Sequence, residues 1–296
     1  MMASGRSGTS ICCRKNKAIS RGVSVLTKKT YLQEGFIRRI LLLAIVLIAI
    51  SIPGGVSAQP VISSEIAPLG KLRVATNGGN PQLVTRTPDG KMVGGVALDV
   101  GQFVAAKLGV SFEAVAYANA DAYTQSFGKA EWDIAIGPRT PLVAEKAEFS
   151  PDLILSDLMY VAAPGREFAD AGQVDRPGVK IGVGRNSGAD QFLSRTLKSA
   201  ELVRPGGGGV EALRSGKADV WAANASNVQG VADALPGAKV VPGAFTTERY
   251  TVALPKGRSS AVQAKLAEIV NEAKRTGIVQ KAIDEASLRG VQVAPN

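Results

Sequence analysis

From Lys71 onward the hydrophobic period keeps switching between two and 3.6 residues, and this switching constrains the fold more than any other feature. Strand-like runs occur at Lys71–Thr76, Val110–Tyr117, Trp132–Ile136, Val179–Gly184, Ala218–Asn224 and Thr251–Gly257. Helical spacing separates them. Val96, Val100, Phe103, Val104 and Leu108 share one face of a helix that Gly109 ends. Further helices are expected at Asp121–Phe127, after "RNSG" into "ADQFLSRTLKSA", at Val210–Leu213, at Asn227–Leu235 and at Ser260–Thr276. Strands alternating with helices predict an α/β protein with mainly parallel sheets. Pro88-Asp89-Gly90 adds a hairpin turn.

Two segments echo each other. "FGKAEWDIAI" and "RSGKADVWAA" both run from a helix end through Gly-Lys and an acidic residue into an apolar strand. Shared helix-to-strand chemistry and two similarly built domains both account for the echo.

Charge excludes one large class of function. The chain carries a net +10, but residues 1–58 hold nine of the 35 basic residues and one of the 25 acidic ones. The remainder is near neutral, which argues against a nucleic-acid surface. There is no histidine, so Ser-His-Asp catalysis and His-ligated zinc are excluded. Cys12 and Cys13 are adjacent and far upstream, leaving the body without thiol chemistry. No cofactor is expected. "GVGRNSG" at Gly182–Gly188 departs from a dinucleotide loop, its third glycine standing one position late.

Arg38-Arg39, the apolar run Ile40–Ile52, Pro53-Gly54-Gly55 and then Val56-Ser57-Ala58 form the three parts of an export signal. Residues 36–58 are expected to be a signal peptide cleaved after Ala58. Retention as a membrane tether is the alternative, although the run is short of the roughly 20 residues a spanning helix needs. Residues 1–35 are expected to be a disordered extension or an over-extended translation start.

An ordered set of segments resembles a known family. "KLRVATN", "DGKMVGGVALDVGQFVAAKLGV", "TPLVAEKAEFS", "RPGVKIGVGRNSGADQFL", "RSGKADVWAAN" and "YTVALPKGRS" follow one another as in the family 3 extracellular solute-binding proteins of ABC importers. The resemblance spans about residues 69–286. It implies a type II periplasmic-binding-protein fold: two α/β domains joined by a two-segment hinge, with the ligand in the inter-domain cleft. Domain 1 would comprise 69–155 and 248–290, and domain 2 would comprise 160–243, with crossings near Ser156–Val161 and Ala244–Tyr250. The implied role is capture of a small solute in the periplasm, as a monomer and without catalysis, for an inner-membrane permease. An exported enzyme on the same fold, dehydratase-like with Glu248 as its acid or base, is the alternative, as is a non-transport sensor module.

The resemblance also implies a ligand site, and the chain departs from it. Amino-acid-binding members grip the α-carboxylate with an Arg in a Thr-Pro-Glu-Arg segment. Here Thr140-Pro141 and Glu148-Phe149-Ser150 match, but the Arg position is Val143 and the Glu before it is Leu142. The two carboxylates that would hold an α-ammonium fall on Asn77 and Asn224, and the aromatic clamps fall near Asn80 and Ala120. All three charges of a zwitterion grip are missing, and Asn offers both a donor and an acceptor. An uncharged or singly charged polar solute is expected in place of an ordinary α-amino acid. The expected contacts are Asn77, Asn80, Tyr117, Arg139, Thr140, Arg185, Ser187, Gly188 and Asn224. Arg139 and Arg185 stand as substitute cations and Tyr117, with Tyr123, as substitute aromatics. Trp132 and Trp221 read as core, and Gly206–Gly209 as a flexible surface loop.

Overall fold

The computed structural model describes residues 58–296. The expected extension and apolar run lie outside the described residues. Among the described residues no helix is long and apolar enough to cross a membrane.

The elements follow the expected alternation. Helix α1 (Ala58–Ile66) leads into β1 (Lys71–Asn77), a short hairpin of β2 (Thr85–Arg86) and β3 (Met92–Gly94), α2 (Val96–Leu108), β4 (Ser111–Tyr117), α3 (Ala120–Gln125), β5 (Ile134–Pro138) and α4 (Pro141–Ala144). A long strand, β6 (Ala147–Ala162), then leaves this first lobe. The second lobe holds β7 (Lys180–Val183), α5 (Gly188–Thr196), β8 (Glu201–Val203), α6 (Gly208–Arg214), β9 (Val220–Asn224), α7 (Ala225–Ala234) and β10 (Lys239–Val240). The chain returns along β11 (Thr246–Pro255) and ends with α8 (Ser260–Arg275), α9 (Ile278–Glu285) and β12 (Val291–Val293).

One continuous sheet runs β4-β1-β5-β11-β6-β9-β7-β8. Each lobe contributes three parallel strands in the same order. In lobe 1 the first strand, β1, lies between the second and third, β4 and β5. In lobe 2, β7 lies likewise between β8 and β9. Each third strand is then flanked by an antiparallel strand arriving from the other lobe: β11 on β5 and β6 on β9. The sequence echo therefore reflects two similarly built lobes. The expected crossings lie along β6 and at the entry to β11, which pair with each other.

Helices cover both faces of each lobe's sheet. In lobe 1, Leu72, Val74, Ile134 and Ile136 pack on Val100, Val104, Leu266 and Ile269. The opposite face holds Tyr123, Phe127, Trp132 and Val143. In lobe 2, Ile181, Val183 and Val220 pack with Leu193, and Val161 and Trp221 pack with Leu213, Val228 and Val231 on the other side. Apolar burial of this kind contributes about 25 cal/mol per Å².

The sequence gives no simple strand signal at β6 because Pro151 interrupts it. The ladder with β11 shifts register here, from Thr251 against Asp152 to Ala253 against Phe149. Proline cannot donate to a ladder and sits in strands only at edges or bulges. Ser150 Oγ repairs the gap by accepting from Val252 N at 3.1 Å.

Candidate functional site

In a parallel sheet whose strand order reverses, loops at the carboxyl ends diverge and leave a crevice. Here two such crevices face each other, one per lobe. Between them lies a cavity of about 620 Å³, within the range of small-molecule sites. Its walls are the carboxyl ends of β1 and β5 (Asn77, Pro138), those of β7 and β9 (Gly184, Asn224), and the crossing strands (Leu158, Glu248, Tyr250). A second groove, of about 770 Å³, lies between the β1–β2 segment and α7 but does not include these strand ends.

Seven of the nine expected residues line the cavity: Asn77, Asn80, Thr140, Arg185, Ser187, Gly188 and Asn224. Tyr117 and Arg139 do not line it. Tyr117 ends β4, and its hydroxyl donates to Glu131 Oε2 at 2.6 Å. Arg139 continues the path of β5, with its N–H on Arg249 O at 2.7 Å. Side chains alternate along such a path. Pro138 and Thr140 therefore face the cavity while Arg139 faces away. Its guanidinium lies 4.6 Å over the Phe149 ring and 3.7 Å from Asp152.

The two asparagines at the former carboxylate positions have different work. Asn77 Oδ1 accepts from Gly79 N and shapes the turn after β1. Asn224 Oδ1 caps α7 by accepting from Asn227 N at 3.0 Å, and its Nδ2 donates to Asn80 Oδ1 at 3.3 Å. A carboxylate could cap the helix equally well but could not donate to Asn80. Asn80 in turn accepts from Gln82 N and donates to Tyr250 Oη at 3.1 Å. The amide at 224 thus ties lobe 2 to lobe 1. Three more bonds join the lobes: Asn186 Nδ2 to Asp121 Oδ1 at 2.6 Å, Leu142 N to Gln191 Oε1 at 3.2 Å, and Gln82 Nε2 to Ser226 Oγ at 3.5 Å.

The turn before α5 is built tightly. Asn186 adopts φ 55°. Ser187 caps the helix by accepting from Asp190 N, while Asp190 accepts from Asn186 N. This reciprocal capping fixes the helix start. Arg204 reaches both Asp190 oxygens from the β8–α6 loop, at 2.9 and 3.1 Å, and is neutralised there. Arg185 is exposed at the cavity edge.

Glu248, on β11, crosses to this turn. A Cβ on Gly188 would lie 1.5 Å from Glu248 Oε1, so only glycine leaves room for the carboxyl. That oxygen is buried and has no hydrogen-bond partner, and neither has Thr140 Oγ1. Both belong to residues lining the cavity. Burial pushes the Glu248 carboxyl up to about 7, opposed by a hydrogen bond with the Tyr250 hydroxyl. Burial, with the nearby Glu248 charge, raises Tyr250 well above the usual phenol range. Among the described residues no acidic or cysteine cluster could hold a metal.

Two segments read as a surface loop and as core also reach the cavity. Gly206–Gly208 line the cavity as the loop after β8, which the sheet rule places at the carboxyl edge. Trp221 also forms cavity wall, with its Nε1 donating to Asn227 Oδ1 at 3.1 Å. Tyr250 went unnoticed in the sequence because it reads as an ordinary strand aromatic. The carboxyl-edge rule was the available signal for the glycine loop, but no local pattern marks Tyr250.

No protein-family model matches the chain, and no curated protein does. Solved structures do match. The solute receptor for L-cysteine of Neisseria gonorrhoeae gives a TM-score of 0.65 at 17% identity, covering 79% of this chain and 99% of that one. An amino acid ABC transporter substrate-binding protein from Streptococcus pneumoniae, bound to L-arginine, gives 0.64 at 20% identity, covering 75% and 96%. An ancestral amino acid-binding protein, a precursor of cyclohexadienyl dehydratase, gives 0.63 at 20% identity, covering 75% and 97%. These likenesses show the fold: the chain is a two-lobed α/β protein of the type II periplasmic-binding kind.

Proposed function

We propose that this chain is the periplasmic solute receptor of an ABC importer and that its solute is not an ordinary α-amino acid. Lobe 1 comprises residues 69–155 and 248–290, and lobe 2 comprises 160–243. The lobes close on a small polar molecule, and an inner-membrane permease takes the closed form. Closure selects whichever state makes more contacts with the ligand.

The observation that carries this reading is the cavity between two facing strand-end crevices, lined by unpartnered polar atoms and lacking the zwitterion grip. Val143 is buried in that wall, where a carboxylate clamp would need a cation. Asn224 spends its carbonyl on a helix cap and its N–H on Asn80. Removing one partner of a buried ion pair costs about 3–5 kcal/mol, which is two or more decades of affinity. The test is thermal-shift screening of the purified protein, confirmed by native mass spectrometry, against sugars, amides, organic acids, amines and amino acids. Binding by a non-amino-acid solute, with ordinary amino acids weak or silent, is the expected result. Tight binding of several ordinary amino acids would overturn the solute assignment.

A dehydratase-like enzyme is the second reading, favoured by Glu248 alone, because a carboxyl raised to about 7 suits acid–base catalysis. Turnover of a bound solute that disappears in Glu248→Gln, with binding retained, would establish it.

A further inference from the structure

The solute-capture reading leaves one group in the cavity unused: the Glu248 carboxyl. Its Oε1 is buried against Gly188 and has no partner. A carboxylate removed from water without a cation or a full set of donors is strongly destabilised. Such a group is relieved when a ligand brings the missing charge.

The other charges around the cavity decide which charge that is. Tyr250, on the same strand, is a neutral phenol. Asp121, on α3, adds a second carboxylate. Asp121 is bonded by Asn186 Nδ2 and Gln125 Nε2, both neutral donors. On the α5 side, Arg204 is already committed to Asp190 and Ser194. Arg185 is the remaining cation of the lining, and it is exposed at the edge. Val143 supplies none. Arg249, next in sequence to Glu248, turns the other way and pairs with Asp152 at 3.2 Å. The cavity lining therefore carries two carboxylates, Glu248 and the partly exposed Asp121, and its uncommitted cation, Arg185, is exposed.

We propose that Glu248 is the anionic anchor of the site and that the solute is a small organic cation without a carboxylate, an amine or a guanidinium, whose charged nitrogen sits against Glu248 Oε1. Thr140 Oγ1, the second unpartnered atom, accepts from or donates to the polar remainder of the solute. Gly188 is a positioning residue, since any side chain there displaces the carboxyl. Ligand nitrogen and proton compete for one carboxylate. Binding of the cation expels the proton that Glu248 holds at neutral and lower pH.

The test uses the full protein and a probe set of ethanolamine, tetramethylammonium and guanidinium, with acetamide, acetate, glucose and alanine as the contrasting arm. At least one cation should raise Tm and bind by calorimetry. Its affinity should fall roughly tenfold for each pH unit below about 7, by competition with the proton. Glu248→Gln should reduce that affinity at least a hundredfold and remove the pH dependence, and Glu248→Asp should restore part of both. If the Gln variant fails to fold, the pH profile and buffer-dependent proton release of the unaltered protein decide the matter instead. Undiminished cation binding in the Gln variant, or a flat pH profile, would overturn the proposal. So would binding of acetate, acetamide, glucose or alanine while every cation fails, a result that leaves solute capture standing. Failure of a broad panel of every class would remove the capture reading and this inference together.

Discussion

The two lobes share one frame and use it differently. In each, an Asp opens the third strand and holds the amide of the first. Asp133 Oδ2 accepts from Arg73 N at 2.8 Å, and Asp219 Oδ2 accepts from Lys180 N at 2.9 Å. The backbone N–H of each Asp donates back across the same pair. Each carboxylate also binds an Arg: Arg73 at 2.8 Å and Arg166 at 2.6 Å. Yet the Asp133 side chain is 1% exposed and Asp219 18%. The tryptophans diverge further. Trp132 precedes its Asp and lies in the core, donating to Ser126 Oγ at 2.9 Å. Trp221 follows its Asp by two positions and, while packed in the lobe 2 core, also borders the cavity. Lobe 1 keeps both of these shared parts in its core, while lobe 2 lets one of them also border the cavity.

Substitution at the paired aspartates tests this contrast most severely. Asp133→Ala strips a partly buried Arg and a ladder amide of their buried partner, and should cost about 3–5 kcal/mol in urea unfolding. Asp219→Ala, being partly open to water, should cost about 1–2 kcal/mol. Equal losses would mean that the two lobes are built to the same tolerance.

The next effect belongs to the hinge side of the cavity. The Glu248 carboxyl is raised from 4.5 to about 7 in the folded chain. A raised carboxyl binds its proton more tightly when folded, so stability is fullest below pH 4.5 and is lost as pH rises toward 7. The ligand-free protein should lose about 3 kcal/mol of this contribution across that window. Glu248→Gln should flatten this part of the profile and melt higher than the unaltered protein at pH 8.

The strand-end glycines sharpen the comparison at smaller scale. A Cβ on Gly137 would lie 2.6 Å from the Tyr123 hydroxyl, on a ring locked in the core. Gly137→Ala should cost about 1–3 kcal/mol. Gly188→Ala meets only the far end of the Glu248 side chain. It should change stability by less than about 1 kcal/mol yet weaken cation binding at least tenfold, measured by melting and calorimetry together. The smallest effect is expected at Arg139. Its exposed cation–π and ion-pair contacts are worth about 1 kcal/mol or less, and Arg139→Ala should leave ligand affinity unchanged.

Much of the fold was legible because it is written in local periodicity. Helix α2 spans Val96–Leu108, as its apolar spacing predicts, and Gly109 ends it at φ 71°. The elements that escaped are those defined by distant partners. Strand β6 carries a proline, and only β11, β9, β10 and β12 alongside it make it a strand. At the site, Ser187 and Gly188 were legible as a small-residue helix start. The reason Gly188 must be glycine was not, because the atom that requires it sits 60 positions further on.

The residue inventory settled several things before any folding. The described chain has no histidine or cysteine to work with, Val143 brings no charge to the wall, and the alternation of periods demands an α/β sheet. What the inventory leaves open is facing. A strand reverses its side-chain direction at every residue, so Arg139 and Thr140 differ by a single step and part company completely. Which step points inward depends on the partner strand, and β11 comes from more than a hundred positions away. That long-range pairing turned Arg139 outward. It also brought Glu248 onto Gly188 and made one carboxylate, which the sequence offered only as an alternative acid, the least satisfied charge in the cavity.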